Sequence, residues 1–267
     1  MTWGEAVAKW LQVKPRGIQD RYRIAALSIS LTKPLPLSPE ELSGSGATFN
    51  RLRSLVLAIH RTSGVEPPQI EPKEVAQGRT RWLSAEEWQR LKKALAKESP
   101  LLLQCAEFAL ATGLRENNVL ELEWSQVDLK RRVAWIHGDQ AKAGQPIGVP
   151  LNDGAMAVLE ARRGVSKPFV FANPDTDKPY VKASNKSWYA AVKKAKLEGF
   201  RWHDLRHTWA SWAVMGGVRL EELQRLGGWK TYSMVQRYAH LSPEHLAEAS
   251  AKIKPVSMRY NKPRNAK

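Results

Sequence analysis

The chain has 267 residues, 43% hydrophobic and 25% charged, so it can bury the core of one large domain or two small ones. No apolar run approaches the roughly 18–20 residues of a membrane-spanning helix, and MTWGEAVAKWLQ lacks the apolar stretch of a signal peptide. The single cysteine, Cys105, excludes an intramolecular disulfide and a cysteine-based metal site. These features predict a cytoplasmic protein.

The charge balance indicates a polyanionic partner. The net charge is +16 and the isoelectric point is near 10.0, and nucleic acid is the most common partner of so basic a chain. Residues 1–78 hold 10 basic and 7 acidic side chains, which leaves +13 of the net charge for the rest of the chain. Charge alone does not separate a DNA-binding protein from a basic protein without such a partner.

The N-terminal part predicts a small all-helical domain at residues 1–65. TWGEAVAKWLQV and GATFNRLRSLVLAIHRTSG have the apolar spacing of helices. In the second segment this spacing aligns Phe49, Leu52, Leu55, Val56 and Ile59. The Pro/Ser/Gly-rich stretch between them predicts turns around a short helix that begins at Ser38. Residues 66–81 contain three prolines and a glycine without apolar periodicity, which is typical of an interdomain linker.

Residues 82–253 predict a mostly helical α+β domain with a small antiparallel three-stranded sheet. Ser84-Ala-Glu-Glu87 has the pattern of a capping box before the helix WQRLKKALA. A buried helix is predicted at about 101–112, ending at Gly113, and another at about 115–122. RRVAWIH, IGVPL and PFVFAN predict three short strands, with GDQAKAGQP as the hairpin turn between the first two.

The pattern from Asn185 onward is helical again. KSWYAAVKKAK, LRHTWASWAVMGG, LEELQRLGG and YSMVQRYAH each predict a helix, and Ser242-Pro243 opens another near 243–253. Residues 254–267 contain no acidic side chain and predict a flexible basic tail. The predicted fold class is therefore mainly α, with a helical N-terminal domain and a helical domain that carries a small sheet.

Two polar segments in the middle of the chain are not explained by core packing. ATGLR places Arg115 at the start of a helix directly after a tight turn, where the guanidinium and free backbone N–H groups favour an anion. Taken alone, the same residue is more often simply a surface arginine. Lys142 lies in the hairpin turn AKAGQP, where a lysine is ordinarily solvated, so it is a weak signal by itself.

Two further polar segments lie near the C-terminus. In HDLRH the i, i+3 spacing puts His203 and Arg206 on one helical face, where two donors can hold adjacent oxygens of a phosphate. LGGW is followed by MVQRYAHL, with Tyr238 nine residues after Trp229. Each segment alone is also compatible with a capping or packing role. A metal site is not expected, because no cysteine ligand lies nearby and Arg206 would repel a cation.

In this order and spacing, the four segments resemble the tyrosine recombinase family, and the phage integrases in particular. ATGLR with LELEWSQVDL resembles the first arginine motif, and AKAGQPIGVPL resembles the hairpin that carries the lysine. HDLRHTWASW resembles the HxxRH motif, and LGGW with QRYAHL resembles the C-terminal box that ends in the nucleophile. The resemblance is specific over about 82–246, whereas the first 78 residues match only the size and helicity of the core-binding domain.

The resemblance assigns six residues to the active-site positions of the family, namely Arg115, Lys142, His203, Arg206, Trp229 and Tyr238. The family's nine-residue spacing selects Tyr238 over Tyr232, and the position in the turn selects Lys142 over Lys130. Asn118 stands where many relatives have glutamate. Its amide cannot orient an arginine by charge, although it can still hydrogen-bond.

The resemblance implies a site-specific DNA recombinase that cleaves and rejoins strands through a 3′-phosphotyrosine, without a metal, ATP or another cofactor. Tyr238 would be the nucleophile, the arginines would neutralise the transition state, and Lys142 would protonate the leaving 5′-oxygen. Whether His203 assists the tyrosine proton or only hydrogen-bonds stays open. The implied partners are double-stranded DNA clamped by two domains, four protomers of a chain that is monomeric when free, and a directionality factor or DNA-bending protein.

Other functions fit the same motifs less well. A chromosome-dimer resolvase of the Xer type is an alternative, but LGGW with YAHLSP favours a phage or mobile-element integrase. A catalytically silent DNA-binding regulator derived from a recombinase is another, and the six filled polar positions argue against it. A type IB topoisomerase shares the tyrosine chemistry without choosing a site. Whether an arm-binding domain precedes residue 1 is left open.

Overall fold

A computed structural model of the chain describes residues 1–13, 18–75, 79–140, 146–173, 176–179, 182–241 and 250–251. Contacts divide the chain into two compact units, the first spanning Met1–Arg79 and the second beginning at Thr80. Each unit has a hydrophobic core of its own. Within the described ranges, no helix combines the length and the apolar character needed to cross a membrane.

The first unit is helical, as predicted. It contains α1 (Trp3–Val13), α2 (Ile18–Ala26), α3 (Gly46–Ser63) and a short 3-10 turn at Pro39–Glu41 that follows Ser38. α1 packs against α3, and their buried faces share the core residues Trp3, Trp10, Phe49, Val56 and Ile59. The sequence patterns missed α2, because its segment IQDRYRIAA has three charged residues and a weak apolar face.

The second unit contains eight α-helices among its described residues. They are α4 (Ala85–Glu98), α5 (Pro100–Thr112), α6 (Glu116–Leu120), α7 (Asp153–Arg162), α8 (Lys186–Lys194), α9 (Asp204–Met215), α10 (Leu220–Gly227) and α11 (Ser233–Gln236). The predicted capping box is present, since the Ser84 hydroxyl accepts from the Glu87 N–H and the Glu87 carboxylate accepts from the Ser84 N–H. α5 packs against α4, α7 and α9, which explains why its sequence has almost no polar face.

A small antiparallel sheet completes the second unit. Its strands are β1 (Val127–Asp128), β2 (Val133–Ile136) and β3 (Ile147–Pro150), in the order β1-β2-β3. β2 and β3 pair from Val133 opposite Pro150 to Ile136 opposite Ile147, so the predicted hairpin between them is confirmed. The third strand of the sheet is the two-residue β1, which is too short to produce an apolar pattern.

The prediction of a strand at PFVFAN is wrong. In the described part of the segment, Phe169 and Ala172 form isolated bridges to Glu123 and Pro179 instead of a ladder with β3. Val170, Phe171 and Ala172 are buried in succession, so the middle of the segment does not alternate between core and solvent. The Val170 N–H donates to the Leu122 carbonyl at 2.8 Å. A continuous apolar run has the same appearance in a buried strand and in a buried irregular segment.

Other boundaries differ more modestly. α7 was not predicted, although Asn152 caps it by accepting from the Ala155 N–H at 2.9 Å. The helix predicted for YSMVQRYAH is shorter, because α11 ends at Gln236 and a 3-10 turn follows at Ala239–Leu241. The helix predicted near 243–253 lies outside the described residues except at 250–251, which are helical, and the tail at 254–267 lies outside them entirely.

Candidate active site

Helix α9 positions the central residues of the site, and it is fastened to the segment that precedes α4. The Trp212 indole N–H donates to the Leu83 carbonyl at 2.9 Å, and the Leu83 N–H donates to the Thr208 hydroxyl at 3.1 Å. Leu205 on the same helix packs into the main core. These contacts fix the rotation of α9, which determines where its polar side chains point.

Arg206 is the buried cation of this helix, with only 5% of its surface exposed. Its guanidinium donates to the Gly113 carbonyl at 2.6 Å and to the Gly227 carbonyl at 2.5 Å, and it lies 4.1 Å from the centroid of the Trp229 ring. Burial and, to a lesser degree, Arg115 lower the pKa of Arg206 to about 9, whereas Tyr238 acts in the opposite direction. The side chain therefore stays protonated at neutral pH and is held in one orientation.

Two tryptophans and two glycines form the wall behind Arg206. The Trp209 and Trp229 rings stack with centroids 6.0 Å apart and an interplanar angle of 23°. A Cβ atom at Gly113 would lie 2.2 Å from the Trp209 ring, and one at Gly227 would lie 2.0 Å from the Trp229 ring. The absence of side chains at both glycines thus allows the rings to approach the carbonyls that hold Arg206.

Tyr238 is buried next to this wall. It lies between α11 and the 3-10 turn, is 1% exposed, and packs in a small cluster with Leu223 and Val235. Its ring centroid is 6.1 Å from that of Trp229, and its hydroxyl is 2.6 Å from Nδ1 of His207. Burial raises the pKa of Tyr238 to about 12, although Arg237 and Arg206 act in the opposite direction. The desolvation of the phenol therefore outweighs the effect of the nearby arginines.

Arg115 and His203 line a neighbouring cleft of about 400 Å³, together with Glu116, Asn117, Asn118, Asp139 and Gln140. Arg115 directly precedes α6 and follows the left-handed turn at Gly113, as predicted from ATGLR. Burial lowers the pKa of the Arg115 guanidinium. α6 is only five residues long, so the attraction of the cleft for an anion rests on the guanidinium more than on a helix dipole.

Asn118 connects this cleft to the turn after β2. Its side-chain amide donates to the Gln140 carbonyl at 3.0 Å. Gln126 holds the same turn, because its amide donates to the Gln140 side-chain oxygen and to the Trp135 carbonyl, both at 2.8 Å. The residue that departs from the family's glutamate therefore fastens α6 to the hairpin, whose predicted lysine, Lys142, lies outside the described residues.

The structure thus packs Trp229 against both Arg206 and Tyr238, and it places Arg115 and His203 in the adjoining cleft. Sequence patterns assigned no role to His207, although it stands in HDLRH. Its spacing four residues after His203, on the same helical face, is the signal that could have identified it.

His207 should make the stability of the second unit sensitive to acid. Burial and, to a lesser degree, His203 lower its pKa from 6.5 to about 4, so the folded chain binds fewer protons than the unfolded chain between these values. The free energy of unfolding should therefore fall as the pH drops from about 7 to about 4.5. The asparagine of His207→Asn cannot titrate in this range. Over the same drop in pH, we expect the free energy of unfolding of the wild type to fall by about 1–2 kcal/mol more than that of His207→Asn, after allowance for the partial exposure of His207. Urea denaturation at several pH values measures the difference, and parallel curves would contradict it.

Comparisons with known proteins place this site in a family. Residues 81–245 match the model of the phage integrase family. The integrase of Salmonella phage P22 is 44% identical over an alignment of 231 residues, and the match covers 82% of this chain but only 59% of that protein.

Solved structures agree with this match at the level of the fold. The Tn1549 transposon integrase in complex with transposon right end DNA has a TM-score of 0.72 and 15% identity, over 94% of this chain and 100% of that one. A lambda integrase tetramer bound to a Holliday junction has a TM-score of 0.68 and 18% identity, over 89% and 77% of the two chains. Since the family match spans more than half of the sequence and contains every residue of the site described above, the chain belongs to the phage integrase family.

Proposed function

We propose that the chain is a site-specific DNA recombinase that integrates and excises a phage or another mobile element. The observation that carries the proposal is one cluster in which a tryptophan packs against both a buried arginine and a buried tyrosine. Arg206 covers the Trp229 ring, and the Tyr238 ring packs against the same tryptophan. The P22 relative is an integrase, and the Tn1549 and lambda integrases are bound to DNA in their structures.

In this proposal the cluster receives a DNA phosphate. Arg206 and Arg115 would neutralise the charge that develops on the nonbridging oxygens, because two fixed guanidinium groups stabilise a transition state better than water does. His203 would donate a hydrogen bond from the cleft. The Tyr238 oxygen would attack phosphorus as the bond to the 5′-oxygen breaks, and Lys142 would give that oxygen a proton.

Rejoining would follow the same path in reverse. A 5′-hydroxyl would attack the 3′-phosphotyrosine, which keeps the energy of the ester bond, so the reaction would not need ATP. Trp229 would hold Arg206 in place through the ring contact. Tyr238 would then be released for another cycle.

We further propose that the domains and partners follow the family. Residues 1–65 would form the core-binding domain, 66–81 the linker, 82–253 the catalytic domain and 254–267 a basic tail. The +13 charge after residue 78 would bind the DNA backbone, whereas base contacts would choose the attachment site. Four protomers, monomeric when free, would assemble on DNA in the cytoplasm, with a directionality factor or a DNA-bending protein.

Tyr238→Phe tests the covalent step. The substrate is a nicked duplex that carries the direct repeat bordering the element, so that a cleaved strand cannot be rejoined. We expect wild type to form a covalent protein–DNA adduct on denaturing gels and Tyr238→Phe to form none, because the phenylalanine ring has no nucleophilic oxygen. DNA binding in gel shifts should be unchanged.

Tyr232→Phe is the matched control. Tyr232 is 40% exposed and six residues away in sequence, so its loss should leave adduct formation intact. An adduct formed by Tyr238→Phe would refute the assignment of the nucleophile. Wild type that binds the duplex without any adduct would instead support a catalytically silent DNA-binding regulator.

A further inference from the structure

We propose that His207 is the catalytic base of the reaction: it takes the proton of the Tyr238 hydroxyl when the strand is cleaved and returns it when the strand is rejoined. The proposal rests on the function proposed above. Its first support is the hydrogen bond of 2.6 Å between Nδ1 of His207 and the hydroxyl, which is the reacting atom. A base must lie within hydrogen-bond reach of the proton that it abstracts, and His207 meets this condition before DNA arrives.

The second support is the different position of the two histidines of HDLRH. His203 lines the cleft with Arg115, whereas His207 lies one turn further along α9, beside Tyr238. Their rings meet edge to face, with centroids 5.2 Å apart. The geometry therefore directs His203 toward the phosphate and His207 toward the nucleophile.

The third support is the need of this tyrosine for a proton acceptor. Tyr238 is 1% exposed, so bulk water does not reach its hydroxyl freely. Burial, followed by the neighbouring His203, Arg237 and Arg206, lowers the pKa of His207 to about 4, although the Asp204 carboxylate acts in the opposite direction. The imidazole is therefore neutral near pH 7 and can accept a proton. A phosphate anion held by Arg206 would raise this pKa, because a nearby negative charge favours the imidazolium.

The proposed step balances in atoms and charge. Neutral His207 carries its proton on Nε2 and offers the lone pair of Nδ1. As the tyrosine oxygen bonds to phosphorus, the hydroxyl proton moves to Nδ1 and the bond to the 5′-oxygen breaks, with that oxygen taking a proton from Lys142. In rejoining, the attacking 5′-hydroxyl would return its proton to Lys142, and His207 would give its proton to the departing Tyr238 oxygen.

His207→Asn separates proton transfer from hydrogen bonding. The Oδ1 atom of asparagine stands near the position of Nδ1, so it can accept the hydrogen bond but cannot take the proton. In single-turnover adduct formation on the nicked duplex at about pH 7, we expect a rate about 10²- to 10⁴-fold below wild type, with unchanged DNA binding. The deficit, which is the ratio of the wild-type rate to the His207→Asn rate, should narrow steadily as the pH rises. The reason is that hydroxide increasingly deprotonates the phenol, so the variant depends less on the missing base. A deficit independent of pH would give His207 a structural role only and overturn the proposal.

His203→Asn is the matched control in the same motif. We expect it to slow adduct formation by a factor that does not change with pH. If His203→Asn shows the narrowing deficit and His207→Asn does not, the base is His203 and the proposal is wrong. Wild type that forms no adduct at any pH would refute the proposed function itself, which is a different outcome.

A measurement on wild type covers the case in which His207→Asn does not fold. Nitrogen-15 NMR of histidine-labelled protein reports which ring nitrogen carries the proton. We expect an unprotonated Nδ1 and a protonated Nε2 at His207, with the Tyr238 hydroxyl as the donor. A protonated Nδ1 that donates to the hydroxyl would leave no acceptor for the proton and would overturn the proposal.

Discussion

Arg206→Ala is expected to reduce strand cleavage by at least about 10²–10³-fold and to lower the free energy of unfolding by about 2–4 kcal/mol. The two losses have one origin. The guanidinium donates to the buried carbonyls of Gly113 and Gly227 and covers the Trp229 ring, so alanine leaves two acceptors without a donor and uncovers the ring. The same change removes the permanent charge proposed to stabilise the transition state. DNA binding should be largely kept, because the remaining basic residues of this strongly basic chain would still attract the DNA backbone.

Two companion variants make this prediction specific. Arg206→Lys keeps the charge but loses the planar fork, so it should recover part of the stability and little of the cleavage. Arg201→Ala removes a charge at an exposed position just before α9. It should change the free energy of unfolding, and the activation free energy of cleavage, by less than about 0.5 kcal/mol each. Urea denaturation, suicide cleavage and gel shifts give the three measurements. Equal losses of binding and cleavage in Arg206→Ala would make Arg206 a DNA-docking residue instead.

The parts of the fold that the sequence predicted are those set by local chemistry. The capping box at Ser84 and the glycine stop at Gly113 each depend on residues only a few positions apart. α2 and α7 escaped prediction because one has a weak apolar face and the other opens with Asp-Gly, so tertiary packing stabilises them more than their own pattern does. PFVFAN was wrongly predicted to be a strand for a related reason, because successive buried residues such as Val170 and Phe171 have the same apolar pattern in a buried strand and in an irregular segment.

In the site too, motifs predicted which residues belong together, whereas features that depend on tertiary packing were not predicted. The resemblance in motifs and spacing predicted that Arg206, Trp229 and Tyr238 would act together, and the structure packs Trp229 against both of the others. Motifs did not predict that Tyr238 would be buried, nor that its hydroxyl would meet His207, because both facts depend on how the segment after α10 packs against α9. Backbone carbonyls hold Arg206, and a sequence motif does not reveal which carbonyls a side chain will reach. The only sequence feature at these two positions is the glycine itself, Gly113 and Gly227, each of which lies against a tryptophan ring.

Gly113→Ala is expected to be the most destabilising addition of a single methyl group in this site. Gly113 has a φ of +67°, a region that costs an L-residue about 1–2 kcal/mol, and the added Cβ would lie 2.2 Å from the Trp209 ring. Overpacking of this kind adds about 1–3 kcal/mol, for a total of about 2–5 kcal/mol. Because Trp209 stacks on Trp229, which lies under Arg206, cleavage should fall as well.

Gly164→Ala separates the cost of the left-handed backbone conformation from the cost of the clash with the Trp209 ring. Gly164 lies in the same unit with a φ of +75°, but a Cβ there would meet no atom within 4 Å, so this variant should show the backbone cost alone and cleave DNA normally. Chemical denaturation of both variants should then differ by the cost of the clash, about 1–3 kcal/mol. Equal destabilisation would mean that Trp209 moves aside without penalty. In that case the ring would not be fixed, and the stack could not be what holds Trp229 against Arg206.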